Sequence, residues 1–170
     1  LASDMYKDEE VSLLIDIGTN GEVVIGNKDK LIATSCAAGG AFEGASVGCG
    51  IGGIEGAIKK IEIVDGRVAY STIGEKYPLG VCGSGLIDLL ANLLEKGIMT
   101  KNARIQQDFS ITGDLKLTQN DIFQLITSKA AIRTGWQILI KHYPANLMDI
   151  KKVYLSGGFG NFIDIKNAIK

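Results

Sequence analysis

Several short segments of this sequence combine small residues with polar side chains at spacings suited to holding an anion. The first is Asp16-Ile17-Gly18-Thr19-Asn20-Gly21-Glu22. Glycines around a threonine and an asparagine let backbone N–H groups converge, and Thr19 and Asn20 add side-chain donors. Asp16 heads the turn, where a carboxylate suits a Mg²⁺ held through water. The same residues equally suit a plain hairpin, with an Asn-Gly turn and a capping Asp.

A second segment is Tyr154-Leu155-Ser156-Gly157-Gly158-Phe159-Gly160-Asn161. A predicted strand runs into Gly157, Gly158 and Gly160 and then a helix, which lets backbone lie flat against a ligand at the strand's carboxyl end. An ordinary strand-to-helix turn has the same composition. The third is Gly83-Ser84-Gly85, opening a predicted helix whose free N–H groups face any anion there. Ser84 as a simple N-cap is the competing reading.

A later helix carries Ile122, Ile126, Lys129, Arg133 and Ile140 on one predicted face, with Leu125 and Trp136 at its edge. Lys129 and Arg133 are thus expected inside an apolar stripe. Buried cations need partners. Three options stand open: snorkelling to a rim, pairing with Asp16 or Glu43, or facing a ligand. Ala37 to Ala45 is too small-residued for a core helix; it is either a flexible loop or a close approach to a ligand or partner. His142, the single histidine, lies at a helix end and suits the helix dipole. No triad or zinc site can be assembled around it.

The chain has 170 residues, enough for one domain with a real core. It holds 22 glycines and 2 prolines, against roughly 12 glycines for average usage. The excess is clustered, as tight turns and ligand approaches require. Net charge is -1, so neither nucleic acid nor an acidic membrane is the expected partner. No run reaches the ~18 apolar residues of a membrane span. Cys36, Cys49 and Cys82 match no CxxC pattern and read as reduced thiols in a cytoplasmic protein. The start at Leu1 and the end at Lys170 in a predicted amphipathic helix suggest a piece of something longer.

The elements that position these segments follow from periodicity. Strands are expected over Val11 to Ile17, Glu22 to Gly26 and Leu31 to Cys36, an antiparallel meander. A Gly-rich loop, Ala37 to Gly53, precedes a hairpin of Ala57 to Val64, the turn Asp65-Gly66 and Arg67 to Ile73. A helix runs from Ser84 to Lys96 with Gly97 as cap. Its Leu86, Ile87, Leu89, Leu90, Leu93 and Leu94 cover an arc wide enough for burial on more than one side. A second helix runs from its cap Thr118 to Tyr143. Lys152 to Ser156 is a strand, and a last helix starts near Ile163. Asn102 to Lys116 gives no clear pattern. The fold class is α/β, a mixed sheet flanked by helices.

Together these elements resemble the acetate and sugar kinase/heat-shock chaperone/actin superfamily of ATPases. The resemblance implies a ribonuclease-H-like lobe over residues 1–170, with an insertion at about 37–80. Asp16 to Glu22 resembles its phosphate loop and Ser156 to Gly160 its adenosine element. A closer resemblance lies in Leu14 to Glu22, Ala38 to Ala45, Gly80 to Asp88 and Ser156 to Asn161. These are similar to the carboxy-terminal ATPase region of the reductive activators of corrinoid proteins. That family couples ATP hydrolysis to one-electron return of an inactive cob(II)amide to cob(I)amide.

The resemblance implies ATP and Mg²⁺ as cofactors. Asp16 would organise Mg²⁺ and its waters, and Gly18, Thr19, Asn20 and Gly21 would hold phosphates. Gly83, Ser84 and Gly85 would join the nucleotide site, Gly157, Gly158 and Gly160 would flank the adenosine, and Lys129 and Arg133 would stand nearby. It implies a corrinoid protein as partner. A 2Fe–2S ferredoxin-like domain and a first ATPase lobe would belong to the full-length protein but lie outside this sequence. Alone, the lobe is expected to be inactive. Ala38-Gly39-Gly40-Ala41 departs from the family's commoner Ala-Gly-Pro-Ala. A homodimer, a small-molecule kinase of the same superfamily and a non-catalytic interaction module are the remaining options.

Overall fold

The structure, a computed structural model, describes residues 3–158 and 160–170, leaving Phe159 of the glycine-rich turn outside. The meander forms as expected. Strands β1 (Ser12–Ile17), β2 (Gly21–Gly26) and β3 (Leu31–Cys36) pair antiparallel in sequence order. Strand β9 (Lys152–Ser156) adds parallel to β1, giving the mixed order β3-β2-β1-β9. Val23 and Ile25 are fully buried on this sheet.

A second sheet has the order β5-β4-β6, from β4 (Ala57–Val64), β5 (Arg67–Thr72) and β6 (Gly80–Val81). Asp65 and Gly66 both have positive φ, as a type I′ hairpin turn demands. β6 pairs only with Ala57 and Ile58, so the rest of the β4 edge needs other partners. Helix α1 (Gly83–Glu95) provides them. Asp88 accepts from Ile61 N at 3.3 Å, and Asn92 accepts from Ile63 N at 3.0 Å. Leu86, Leu89 and Leu93 are fully buried, and Ile87, Leu90 and Leu94 pack against the same core. The wide apolar arc read from the sequence is therefore real.

Segment 102–116, which had no readable pattern, contains most of a third hairpin, β7 (Phe109–Thr112) and β8 (Leu115–Leu117). Its strands are too short for alternation to register. Helix α2 (Gln119–His142) starts at the expected Thr118, with a full capping box to Asp121. Gly48 N also donates to Asp121 Oδ1 at 2.6 Å, tying the Gly-rich loop to the helix start. His142 Nδ1 lies 2.8 Å from Ile138 O in the last turn. The final helix, α3 (Ile165–Ala168), starts later than expected, after a 3-10 turn over Gly160–Phe162.

The face assigned to α2 needs correction. Its buried residues are Ile122, Leu125, Ser128, Ile132, Gly135 and Leu139, with Asp121 at its start. Lys129 and Arg133 are exposed, and Ile126 is largely so. Gly135 and Ser128 explain the error. The helix lies so close to β3 that a Cβ at Gly135 would collide with Cys36 Sγ, and Ser128 Oγ donates to Ala38 O at 2.6 Å. A stripe containing Gly and Ser does not read as apolar, so the periodicity pointed to a neighbouring face.

Candidate functional site

β1 and β2 stay paired to Ile17 and Gly21, leaving Gly18, Thr19 and Asn20 as the turn. Neither Asn20 nor Gly21 has positive φ, so the expected Asn-Gly hairpin turn does not form. Gly21 is a glycine for packing: a Cβ there would lie 2.9 Å from Ile132 Cγ1. Gly18 N donates within the turn to Asn20 O at 3.1 Å. The amides of Thr19 and Asn20 bond to no described residue. Two free N–H groups at an exposed turn are a small anion cradle.

Asp16 stands at the end of β1, half-buried, and its carboxylate accepts no hydrogen bond from a described residue. Gly157 lies against it. A Cβ at Gly157, whose φ is +99°, would come 2.8 Å from Asp16 Oδ1 and collide with the Ile17 carbonyl. The two glycine-bearing segments singled out in the sequence therefore meet, because β1 and β9 are parallel neighbours whose pairing ends at Asp16 and Ser156.

A third segment joins them. Gly39 N donates to Thr19 O at 2.9 Å, and Thr19 Oγ1 donates to Glu43 Oε2 at 2.5 Å. Glu43 ends a 3-10 turn over Gly40–Glu43 that is anchored by buried Ala41 and Phe42. Sequence reasoning flagged this stretch but did not place Glu43 in the site. The available signal was one large apolar residue and one acid inside a run of small residues.

Glu43 and Ile17 open onto a cleft of ≈ 940 Å³, which Gly158, Gly83 and Ser84 also line. Ser84 is not the N-cap of α1; Cys82 occupies that position. Ser84 is buried, and its hydroxyl donates to Lys59 O at 2.9 Å. Gly85 is a packing residue whose Cβ would collide with the Ile58 carbonyl. Among the described residues, the cleft lining includes none of Asp16, Gly18, Thr19, Asn20, Gly21, Gly85, Lys129, Arg133, Gly157 and Gly160. It does include Lys59 and Lys60, which sequence reasoning did not select. Cys36, Cys49 and Cys82 are free and buried. Burial pushes the Cys36 and Cys49 thiols up, Cys49 to about 12.

Among the described residues no three His, Cys, Asp or Glu side chains converge to hold a metal ion directly. A cation held through water would fit the Asp16 carboxylate, which accepts no hydrogen bond from a described residue, with Glu43 tied to the same turn through Thr19. Phosphate groups at that turn would face two carboxylates, so a counter-cation belongs between them. No helix among the described residues is long and apolar enough to cross a membrane.

Residues 10–170 match the family model described as the C-terminal domain of RACo, the ASKHA domain. The corrinoid activation enzyme RamQ of Eubacterium limosum is 35% identical over 95% of this chain and 32% of its own length. The Co(II) methylated amine-specific corrinoid protein reductase of Methanosarcina barkeri is 28% identical over 99% of this chain and 35% of its own. A solved structure of a reductive activator for corrinoid, iron-sulfur protein superposes with TM-score 0.90 at 38% identity, covering 98% of this chain and 30% of that one. The chain spans about a third of the length of these relatives. The fold is the actin-like ASKHA ATPase fold.

Proposed function

Since the chain belongs to the family defined by the C-terminal ASKHA domain of RACo, we propose that it is the ATP-binding lobe of a reductive activator of corrinoid proteins. In the full-length protein, ATP hydrolysis would accompany delivery of one electron to cob(II)amide, giving cob(I)amide, and a reduced 2Fe–2S cluster in another domain would supply that electron and be oxidised by it. The cluster domain, a first ATPase lobe and the corrinoid partner all lie outside this segment. Residues 1–170 then form one lobe with an insertion at about 37–80, working in the cytoplasm.

The observation that supports the nucleotide reading is the half-buried Asp16 carboxylate and the amides of Thr19 and Asn20 three and four residues on, none of them bonded to a described residue. Those amides and the Thr19 hydroxyl would hold phosphate oxygens; Asp16 would hold Mg²⁺ through water, and the ion would supply the neutralising charge. Gly157 and Gly158 let the nucleotide approach backbone. Lys129 and Arg133, exposed and without ion-pair partners among the described residues, stand available to it. Catalysis rests on positioning and electrostatics, with no covalent intermediate.

The test is calorimetric titration of the full-length protein with Mg-ATP, wild type against Asp16→Ala. The variant should bind markedly more weakly and lose its Mg²⁺ dependence. Unchanged affinity and an unchanged Mg²⁺ response would remove Asp16 from the site.

A further inference from the structure

β4 alternates between buried and exposed residues from Lys60 to Val64, but not before it: Ala57 and Ile58 are both buried. Lys59 and Lys60 are both exposed, between buried Ile58 and Ile61. The pairing with β5 slips at that step, with Ile58 opposite Thr72 and Lys60 opposite Ser71. This is a β-bulge, which re-aims the side chains it carries. Both lysines line the cleft that Gly158 and Glu43 also line.

Neither ammonium has an ion-pair or hydrogen-bond partner among the described residues. The carboxylates lining the same cleft are already engaged. Asp88 accepts from Ile61 N at 3.3 Å and from Asn167 Nδ2 at 2.7 Å. Asp164 caps α3, accepting from Lys166 N at 2.8 Å and Asn167 N at 3.3 Å. Glu43 holds the Thr19 hydroxyl. Lys59 and Lys60 are thus the two cations of a lining that also holds three carboxylates, and neither is ion-paired to them. Two adjacent ammonium groups repel each other, and a multiply charged anion relieves that repulsion.

We infer that Lys59 and Lys60 form a phosphate subsite on the β4 wall of the cleft, gripping the polyphosphate of the nucleotide whose other contacts lie at the β1–β2 turn. This rests on the nucleotide reading above. It adds a source of positive charge on the insertion, distinct from Lys129 and Arg133 on α2. The lysines also offset Asp16 and Glu43, which would otherwise repel the same phosphates.

The experiment is calorimetric titration of the full-length protein with Mg-ATP, adenosine and inorganic phosphate. Wild type is compared with the double variants Lys59→Ala/Lys60→Ala and Lys59→Arg/Lys60→Arg, and with Asp16→Ala. The alanine pair should weaken ATP binding by about tenfold or more, as loss of charge pairs in a cleft does. Adenosine binding should not change, and the arginine pair should retain ATP. Both positions are exposed, so unchanged thermal melts will show that the fold is intact. ATP and phosphate binding both unaffected by the alanine pair would overturn the subsite, even with Asp16→Ala defective and the nucleotide reading intact. Weakened phosphate binding with unchanged ATP binding would support the subsite but make free phosphate its occupant. A wild-type protein that binds no ATP would remove the nucleotide reading, and the phosphate titration would then decide the subsite alone.

Discussion

Thr19 Oγ1 donates to Glu43 Oε2 at 2.5 Å, joining the β1–β2 turn to the 3-10 turn over Gly40–Glu43. A hydroxyl has a single proton to donate. While Thr19 donates to Glu43 it cannot donate to a phosphate, so on the proposed nucleotide reading it would have to change acceptor when a phosphate arrives. That exchange would free Glu43 to take a water at the same place. On that reading the pair would link the arrival of phosphate to the position of a carboxylate.

Removing either partner should separate these roles. Thr19→Val deletes the donor and should lower kcat for ATP hydrolysis by the full-length protein roughly 10²-fold, as loss of one preorganised donor does. Glu43→Gln keeps an acceptor for Thr19 but loses the charge. It should keep Mg-ATP affinity within about threefold while lowering kcat by roughly tenfold. Steady-state hydrolysis and calorimetric titration read the two quantities apart. Equal losses of affinity and rate in Glu43→Gln would mean that Glu43 acts only by shaping the turn.

Gly157 and Gly158 are adjacent but should respond differently to alanine. Gly157 has φ +99° and no room for a Cβ beside the Ile17 carbonyl and Asp16 Oδ1. Gly157→Ala should cost roughly 1–3 kcal/mol of stability through backbone strain, and nucleotide binding should fall with it. Gly158 has no neighbouring atom within 4 Å of such a Cβ. Gly158→Ala should leave the melting temperature unchanged while weakening ATP binding. A Gly158→Ala protein with full affinity would show that the nucleotide does not approach this face.

Gly85 gives the opposite pattern. Its missing side chain lets α1 lie against the Ile58 carbonyl, with Val81 Cγ1 at 2.9 Å from a Cβ placed there. Gly85→Ala should destabilise by roughly 1–3 kcal/mol through overpacking. Any nucleotide affinity that survives in the folded fraction should match wild type. Denaturant melts combined with titration below the transition would show this.

The sequence made the meander, the hairpin at Asp65-Gly66 and the capping box at Thr118 readable, because each depends on local chemistry. Alternation, a left-handed Asp-Gly pair and a Thr-to-Asp reach all act within a few residues. What was not readable depends on tertiary contact. Gly21 and Gly85 carry the same letter as Gly157, yet they are glycines because Ile132 and the Ile58 carbonyl sit where a Cβ would go. Lys129 and Arg133 were placed on the wrong face because the real stripe of α2 includes Ser128 and Gly135. Lys59 and Lys60 left one mark, the break in alternation between Ile58 and Ile61, which a bulge explains and simple periodicity passes over. Glu43 left less, since its role depends on a hydroxyl far away in the chain.

Cys49 offers a prediction independent of any ligand. Its thiol is buried, and burial first, then the nearby Asp121 carboxylate, raises its pKa from 9.0 to about 12. A raised folded pKa means that the native state holds its proton more tightly than the unfolded chain. The resulting stabilisation is complete below pH 9 and is lost as pH rises through about 12. The Cys36 thiol and the Tyr143 hydroxyl are raised as well, so the effect must be read as a difference between variants. Cys49→Ser cannot ionise in this range. Its melting temperature should start lower than wild type at neutral pH, because a hydroxyl replaces a buried thiol, and then decline less steeply above pH 9. In the same buffers, iodoacetamide should label native Cys49 far more slowly than the unfolded chain. Parallel declines in the two proteins, or fast native labelling, would show that Cys49 is exposed to solvent and not packed beside Asp121.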